Sequence, residues 1–314
     1  GQVGTKSFNT GVTTIYYTVT DASSNTSTAS VTVTVSDNQN PVVTASADTT
    51  VNTAAGVCTR SVAVPNAVFS DNCSGAVLSF VMSGATTGSG SGQVGTKTFN
   101  LGATVITYTV TDASSRTATA SMTVTVVDNQ NPTVTASGNV LENLVSGCTK
   151  SISITDATIG DNCSGFSLAY VLTGATTGNG SGQVGSIVFN KGVTTITYTV
   201  TDGASRTATS SMTVTLLDGI NPTISAPTAS YAANAANGSC SRSVVVSDVT
   251  FDDNCSGSSL SYVMSGATTQ SVTSGQVGTR VFNVGSTVIL AICSSYYGFA
   301  CREHTPVRRG YTAP

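Results

Sequence analysis

Cysteine and aspartate are the side chains of this 314-residue chain whose type and spacing could do chemistry. Six of the eight cysteines fall into two series with a common step, Cys58, Cys148 and Cys240 in one and Cys73, Cys163 and Cys255 in the other. Zinc sites want short Cys-x-x-Cys pairs with a second pair or histidines nearby. Here Cys58 and Cys73 stand 15 residues apart, and the single histidine, His304, lies near the C-terminus. One pair at a constant offset reads as one disulfide within each period, with Pro65 as the pivot that doubles the chain back between Cys58 and Cys73. An oxidising compartment follows, and closing such a loop stabilises a domain by roughly 3 kcal/mol on the chain-entropy model. Free thiols and a metal or redox site are the alternatives. Cys293 and Cys301 belong to neither series, and a terminal disulfide between them is the matching expectation.

The acids recur in the same rhythm. Three linkers read Asp37-Asn38-Gln39-Asn40-Pro41, Asp128-Asn129-Gln130-Asn131-Pro132 and Asp218-Gly219-Ile220-Asn221-Pro222. Each precedes an Asp-Asn loop, at Asp71-Asn72, Asp161-Asn162 and Asp253-Asn254 respectively. Calcium takes clustered oxygens at about 2.3 to 2.6 Å, and linker plus loop together could supply them; the pattern resembles cadherin junctions. Turn formation competes as an explanation, because Asp and Asn hydrogen-bond their own backbone in turns. The third linker also carries a glycine where the others carry an asparagine. Catalysis finds no support. No histidine falls within any period, so a Ser-His-Asp or Cys-His site would have to draw on the tail.

The elements that must position these residues follow from the period. The string GQVG begins at Gly1, Gly92, Gly182 and Gly275, a step of 90 to 93 residues. That is too long for a solenoid repeat and close to the roughly 100 residues of a free-standing β-sandwich. Charged residues make up 9% of the chain, against an average near 25%. Thr, Ser, Val, Gly and Asn dominate, which are residues of strands and turns. A net charge of −3 offers no basic stripe for nucleic acid, and no apolar run reaches the roughly 18 residues of a membrane span.

Within a period the alternation is that of half-buried strands. In Thr104 to Thr111, the set Thr104, Ile106, Tyr108 and Val110 should face the core, with Val105, Thr107, Thr109 and Thr111 outward. Asp112 to Arg116 is a hairpin loop, and Ala120 to Val127 returns antiparallel. The Gly/Ser/Thr stretch from Ser83 to Gly92 should be an exposed loop. About seven strands per period predict a two-sheet antiparallel sandwich.

The run Phe-Asn-x-Gly-x-Thr-x-Ile-x-Tyr-x-Val-x-Asp, the Thr/Val return strand and Asp-Asn-x-Asn-Pro together resemble the hyalin repeat. The Asp-Asn-Cys-Ser-Gly loop resembles the cysteine-containing version found in large secreted proteins of Bacteroidota. The resemblance covers residues 1 to about 290. It implies tandem immunoglobulin-like β-sandwich domains of about 91 residues, an extracellular or cell-surface setting, and a role in adhesion or matrix rather than catalysis. The expected divisions are a C-terminal half-repeat at 1–37, complete repeats at 38–128 and 129–218, an N-terminal part at 219–290, and a divergent tail at 291–314. The expected function is a structural stalk or filament, with a calcium-dependent adhesin recognising glycans or other cells as the alternative. Its partners would be further copies joined head to tail, or neighbouring repeats of a longer chain.

Overall fold

A computed structural model describes residues 4–226 and 231–294. Cys301 and His304 lie outside the described residues, as does the expected tail beyond Ser294. Every regular element among the described residues is a β-strand. The chain divides into two compact units, one formed by residues 1–133, 159–167 and 200–208, the other by 134–158, 168–199 and 209–314.

The first unit opens on a hairpin of β1 (Gly11–Thr20) and β2 (Thr26–Val35), paired with Ile15 opposite Val31. Nine strands follow. They are β3 (Val42–Thr44), β4 (Thr49–Asn52), β5 (Thr59–Ala63), β6 (Val68–Ser70), β7 (Val77–Gly84), β8 (Gly88–Ser91), β9 (Thr96–Asn100), β10 (Gly102–Thr111) and β11 (Thr117–Val127). One five-stranded sheet has the order β4-β11-β10-β7-β8, while β3 pairs with β6 and β5 with β9. All pairings are antiparallel except β4 with β11, which run parallel. A central strand flanked by the last strand and by a mid-chain strand is the C-F-G arrangement of an immunoglobulin-like sandwich. The second unit repeats it: the strands beginning at Val140, Ser167, Gly178, Gly192 and Thr207 form a five-stranded sheet in the corresponding order.

The core forms where the alternation requires it. Thr104, Ile106, Tyr108 and Val110 on β10 are all fully buried, and Ile106 lies opposite Met122 on β11 and Met82 on β7. Phe99 of β9 and Val62 of β5 close the core from the other sheet. Burial pushes the Tyr108 phenol above its ordinary value, and the Val94 backbone acts the other way.

Two corrections concern the stretch from Ser83 to Gly92. Its second half is not a loop: β8 pairs with β7, and Gly90 lies over the Phe80 ring so closely that a Cβ there would meet Cζ at 2.7 Å. The recurrent Gly-Ala-Thr-Thr is a folding device. Thr86 N–H donates to the buried Thr104 hydroxyl at 3.0 Å, Asn100 N–H donates to the Thr86 hydroxyl at 2.8 Å, and the Asn100 amide donates to Ala85 carbonyl at 3.0 Å. The second unit repeats this network through Thr176, Thr194, Asn190 and Ala175.

Candidate functional site

The cysteines pair between periods, not within them. Cys58 is bonded to Cys163 with their Cα atoms 4.8 Å apart, and Cys148 to Cys255 at 5.2 Å. The reason is the length of β10. Thr59, next to Cys58, pairs with Asn100 just before β10 begins, whereas Val77, just after Cys73, pairs with Thr111 where β10 ends. Ten residues at about 3.3 Å each separate those two levels by roughly 30 Å, so Pro65 cannot serve as a pivot that joins them. Cys73 and Cys240 are unpaired among the described residues. Burial and a hydrogen bond with Asp37 raise the Cys73 thiol above its ordinary value.

The acids gather in two places. Ligand atoms of Asp37, Asp71 and Asp112 lie within 4.8 Å of one another, and those of Asp128, Asp161 and Cys163 do the same. Each carboxylate uses part of itself for turn formation. Asp112 Oδ1 accepts from the Ser114 and Arg116 amides, each at 2.8 Å, which closes the hairpin between β10 and β11. Asp71 Oδ2 accepts from Cys73 N–H at 3.2 Å and Asp161 Oδ2 from Cys163 N–H at 3.1 Å. Asp37 Oδ1 accepts from Gln39 N–H at 3.1 Å and from the Asn72 amide at 3.3 Å, and the Gln39 bond holds its carboxyl below the usual range.

The other oxygens are left over. Asp71 Oδ1, Asp112 Oδ2, Asp161 Oδ1 and Asp202 Oδ2 are buried without a hydrogen-bond partner. Asp112 and Asp202 are each only 5% exposed. A buried carboxylate oxygen without a partner is costly, and like charges this close repel. A divalent cation would relieve both; with the Cys163 sulfur committed to its disulfide, the donors that remain are carboxylate oxygens, the kind calcium and magnesium take. Turn formation thus takes one oxygen of Asp71, Asp112 and Asp161 and leaves the other unpartnered.

Asp112, expected only as part of a hairpin loop, and its counterpart Asp202 in the next period both carry such an oxygen. The signal was present: Asp21, Asp112 and Asp202 end three successive copies of the Tyr-x-Val-x-Asp run. The linker asparagines play other parts. Asn40 Oδ1 accepts from Arg116 at 3.3 Å and Asn131 Oδ1 from Arg206 at 3.5 Å, while Asn38, Asn129 and Asn221 are exposed. Gln130 ties its linker down instead, donating to Ala54 carbonyl at 3.0 Å and accepting from Gly56 N–H at 3.0 Å.

The third linker is built differently. Asp218 Oδ2 meets Lys191 Nζ at 3.1 Å, with the carboxylate side chain 2% exposed. Burial works to raise the Asp218 carboxyl, but the Lys191 ammonium, the Ile220 amide and the Asn254 side chain outweigh it and hold it low.

No family model matches the chain, and no curated protein matches it. Among solved structures it is similar to extracellular cadherin domains 3–6 of protocadherin gamma B2, at 16% identity over 92% of this chain and 81% of that one, with a TM-score of 0.31. It is also similar to mouse cadherin-23 EC22–24, at 16% identity over 84% and 96% with a TM-score of 0.33. A Ca2+-stabilised adhesin with which an Antarctic bacterium binds ice matches at 17% identity over 93% and 79%, with a TM-score of 0.31. Likenesses this loose carry no argument, and the all-β, immunoglobulin-like fold rests on the strand order.

Proposed function

We propose that this chain is a segment of an extracellular structural repeat protein, a stalk or filament spacer whose successive domains are fixed to one another by disulfides and by divalent cations. The observation that carries the reading is the pairing of Cys58 with Cys163 and of Cys148 with Cys255, because a bond between successive periods constrains how one domain follows the next. Such bonds persist in oxidising, extracellular settings. The periods 38–128 and 129–218 are the complete domains of this reading, 1–37 and 219–290 are parts of domains, and 291–314 is a divergent tail.

Calcium is the cation we assign to the Asp37–Asp71–Asp112 and Asp128–Asp161 clusters, and Asp202, the sequence counterpart of Asp112 with an unpartnered Oδ2 of its own, is the further donor we propose for the second. The leftover carboxylate oxygens support this. The test is thermal melting in calcium and in EDTA, with Asp112→Asn as the variant. That substitution keeps the Oδ1 acceptor that closes the hairpin and removes one charged oxygen from the first cluster. Calcium should raise the melting temperature of the native chain and raise it less for the variant. Identical curves in calcium and EDTA would remove the cations from the reading. Long regular fibres of the native material under the electron microscope support a spacer. Discrete glycan binding by soluble chain would instead favour an adhesin.

A further inference from the structure

We propose that Lys191 is the resident cation of the third linker: its ammonium stands where a divalent cation binds at the other two, so that this linker is held without metal. The proposal rests on the calcium reading for the first two linkers, but its own observations are separate. The position just before the first glycine of the long strand is Thr10 beside the first linker, Leu101 beside the second and Lys191 beside the third. Of these, only the lysine can neutralise an acid. Its Nζ lies 3.1 Å from Asp218 Oδ2, and its side chain is 20% exposed, so the charge is drawn in from solvent rather than left waving in it.

The donor set changes in step. Where the first two loops offer Asp112 and Asp202, the corresponding position in the sequence is Ser295. The correspondence is set by the strand before it, since Thr268 N–H donates to Thr287 Oγ1 at 3.0 Å just as Thr176 N–H donates to Thr194 Oγ1. In sequence the third period thus keeps Asp218 and Asp253 and carries a serine at the third position, while Lys191 adds a positive charge beside Asp218. Asp218 is already paired with the Lys191 ammonium, which leaves Asp253, with its buried unpartnered Oδ1, as the one uncommitted carboxylate of the pair, and a hard divalent cation needs several anionic oxygens.

The anchorage of the neighbouring loop matches that of the second period. The Asn254 amide donates to Gly147 carbonyl at 2.8 Å, as the Asn162 amide donates to Val57 carbonyl at 3.3 Å. Both loops also carry the disulfide cysteine bonded to the preceding period. The loop anchorage is kept while the charged groups change.

Limited proteolysis of the full chain tests this, with a broad-specificity protease and cut sites read by mass spectrometry after reduction. In EDTA the linkers at 37–41 and 128–132 should open to cleavage and calcium should protect them, while the linker at 218–222 should resist equally in both. Lys191→Met, which keeps the stem and removes the charge, should speed cleavage at 218–222 by about tenfold in EDTA, since cleavage tracks local opening. Lys191→Arg should not. Calcium protection of the third linker equal to that of the other two would overturn the proposal, and so would a Lys191→Met rate equal to that of the native chain. Failure of calcium to protect the first two linkers sinks the calcium reading alone, because the Met and Arg variants still decide the role of Lys191.

Discussion

A carboxylate has two oxygens, and in this protein the turns take only one of them. Asp112 spends Oδ1 on two loop amides and leaves Oδ2 buried and unpartnered. From the sequence the two explanations of these aspartates, turn formation and cation binding, look like rivals. Which oxygen faces which way depends on how the loops converge, and no local spacing encodes that. For the same reason the linker acids Asp37 and Asp128 were legible as candidates while Asp112 and Asp202 were not: they stand 75 and 74 residues further along the chain and meet the linkers only through the fold. Asp218 belongs to the same scale. Its folded value is held below the ordinary 3.8, so its stabilising contribution is complete above that pH and is lost as the pH falls through the folded value. Melting temperature followed from about pH 6 down to about pH 2 should therefore drop for the native chain. The drop should be shallower for Lys191→Met, whose Asp218 titrates nearer its free value, and parallel curves would count against the ion pair as the cause.

At the scale of the element, alternation on β10 was fully readable, since Thr104, Ile106, Tyr108 and Val110 are buried as a period of two requires. The glycine-rich stretch was misread because low side-chain content looks like a loop. Here glycine is required by what lies beneath it. Gly90 gives the Phe80 ring its room, and in the next period Gly180 lies over Tyr170 in the same way. Gly90→Ala should destabilise the chain by about 1 to 3 kcal/mol, the usual cost of overpacking a filled site, measurable by urea unfolding. A neutral result would show that the Phe80 ring turns aside without cost.

At the scale of the whole molecule, the period and the all-β class were legible, and the cysteine pairing was not. Both series repeat with the same step, so a partner 15 residues away and a partner one period onward fit the spacing equally well. Strand length decided between them, by setting Cys58 and Cys73 at the levels of opposite ends of β10. The pair that forms, Cys58–Cys163, closes a loop of 105 residues. On the chain-entropy model a loop of that size is worth about 4 to 5 kcal/mol, against roughly 3 for the short one. The double variant Cys58→Ser with Cys163→Ser should lose about that much in denaturant unfolding, and peptide mapping under non-reducing conditions should recover the Cys58–Cys163 crosslink from native chain. Recovery of a Cys58–Cys73 crosslink instead would reverse the assignment.

The two closed loops also overlap, since the second begins at Cys148, before the first ends at Cys163. Any single peptide bond hydrolysed between Cys58 and Cys255 is therefore bypassed by at least one sulfur bridge. The molecule has two covalent routes along that length, like a rope with a second strand. A protease that nicks it once leaves the tether unbroken until a reductant arrives.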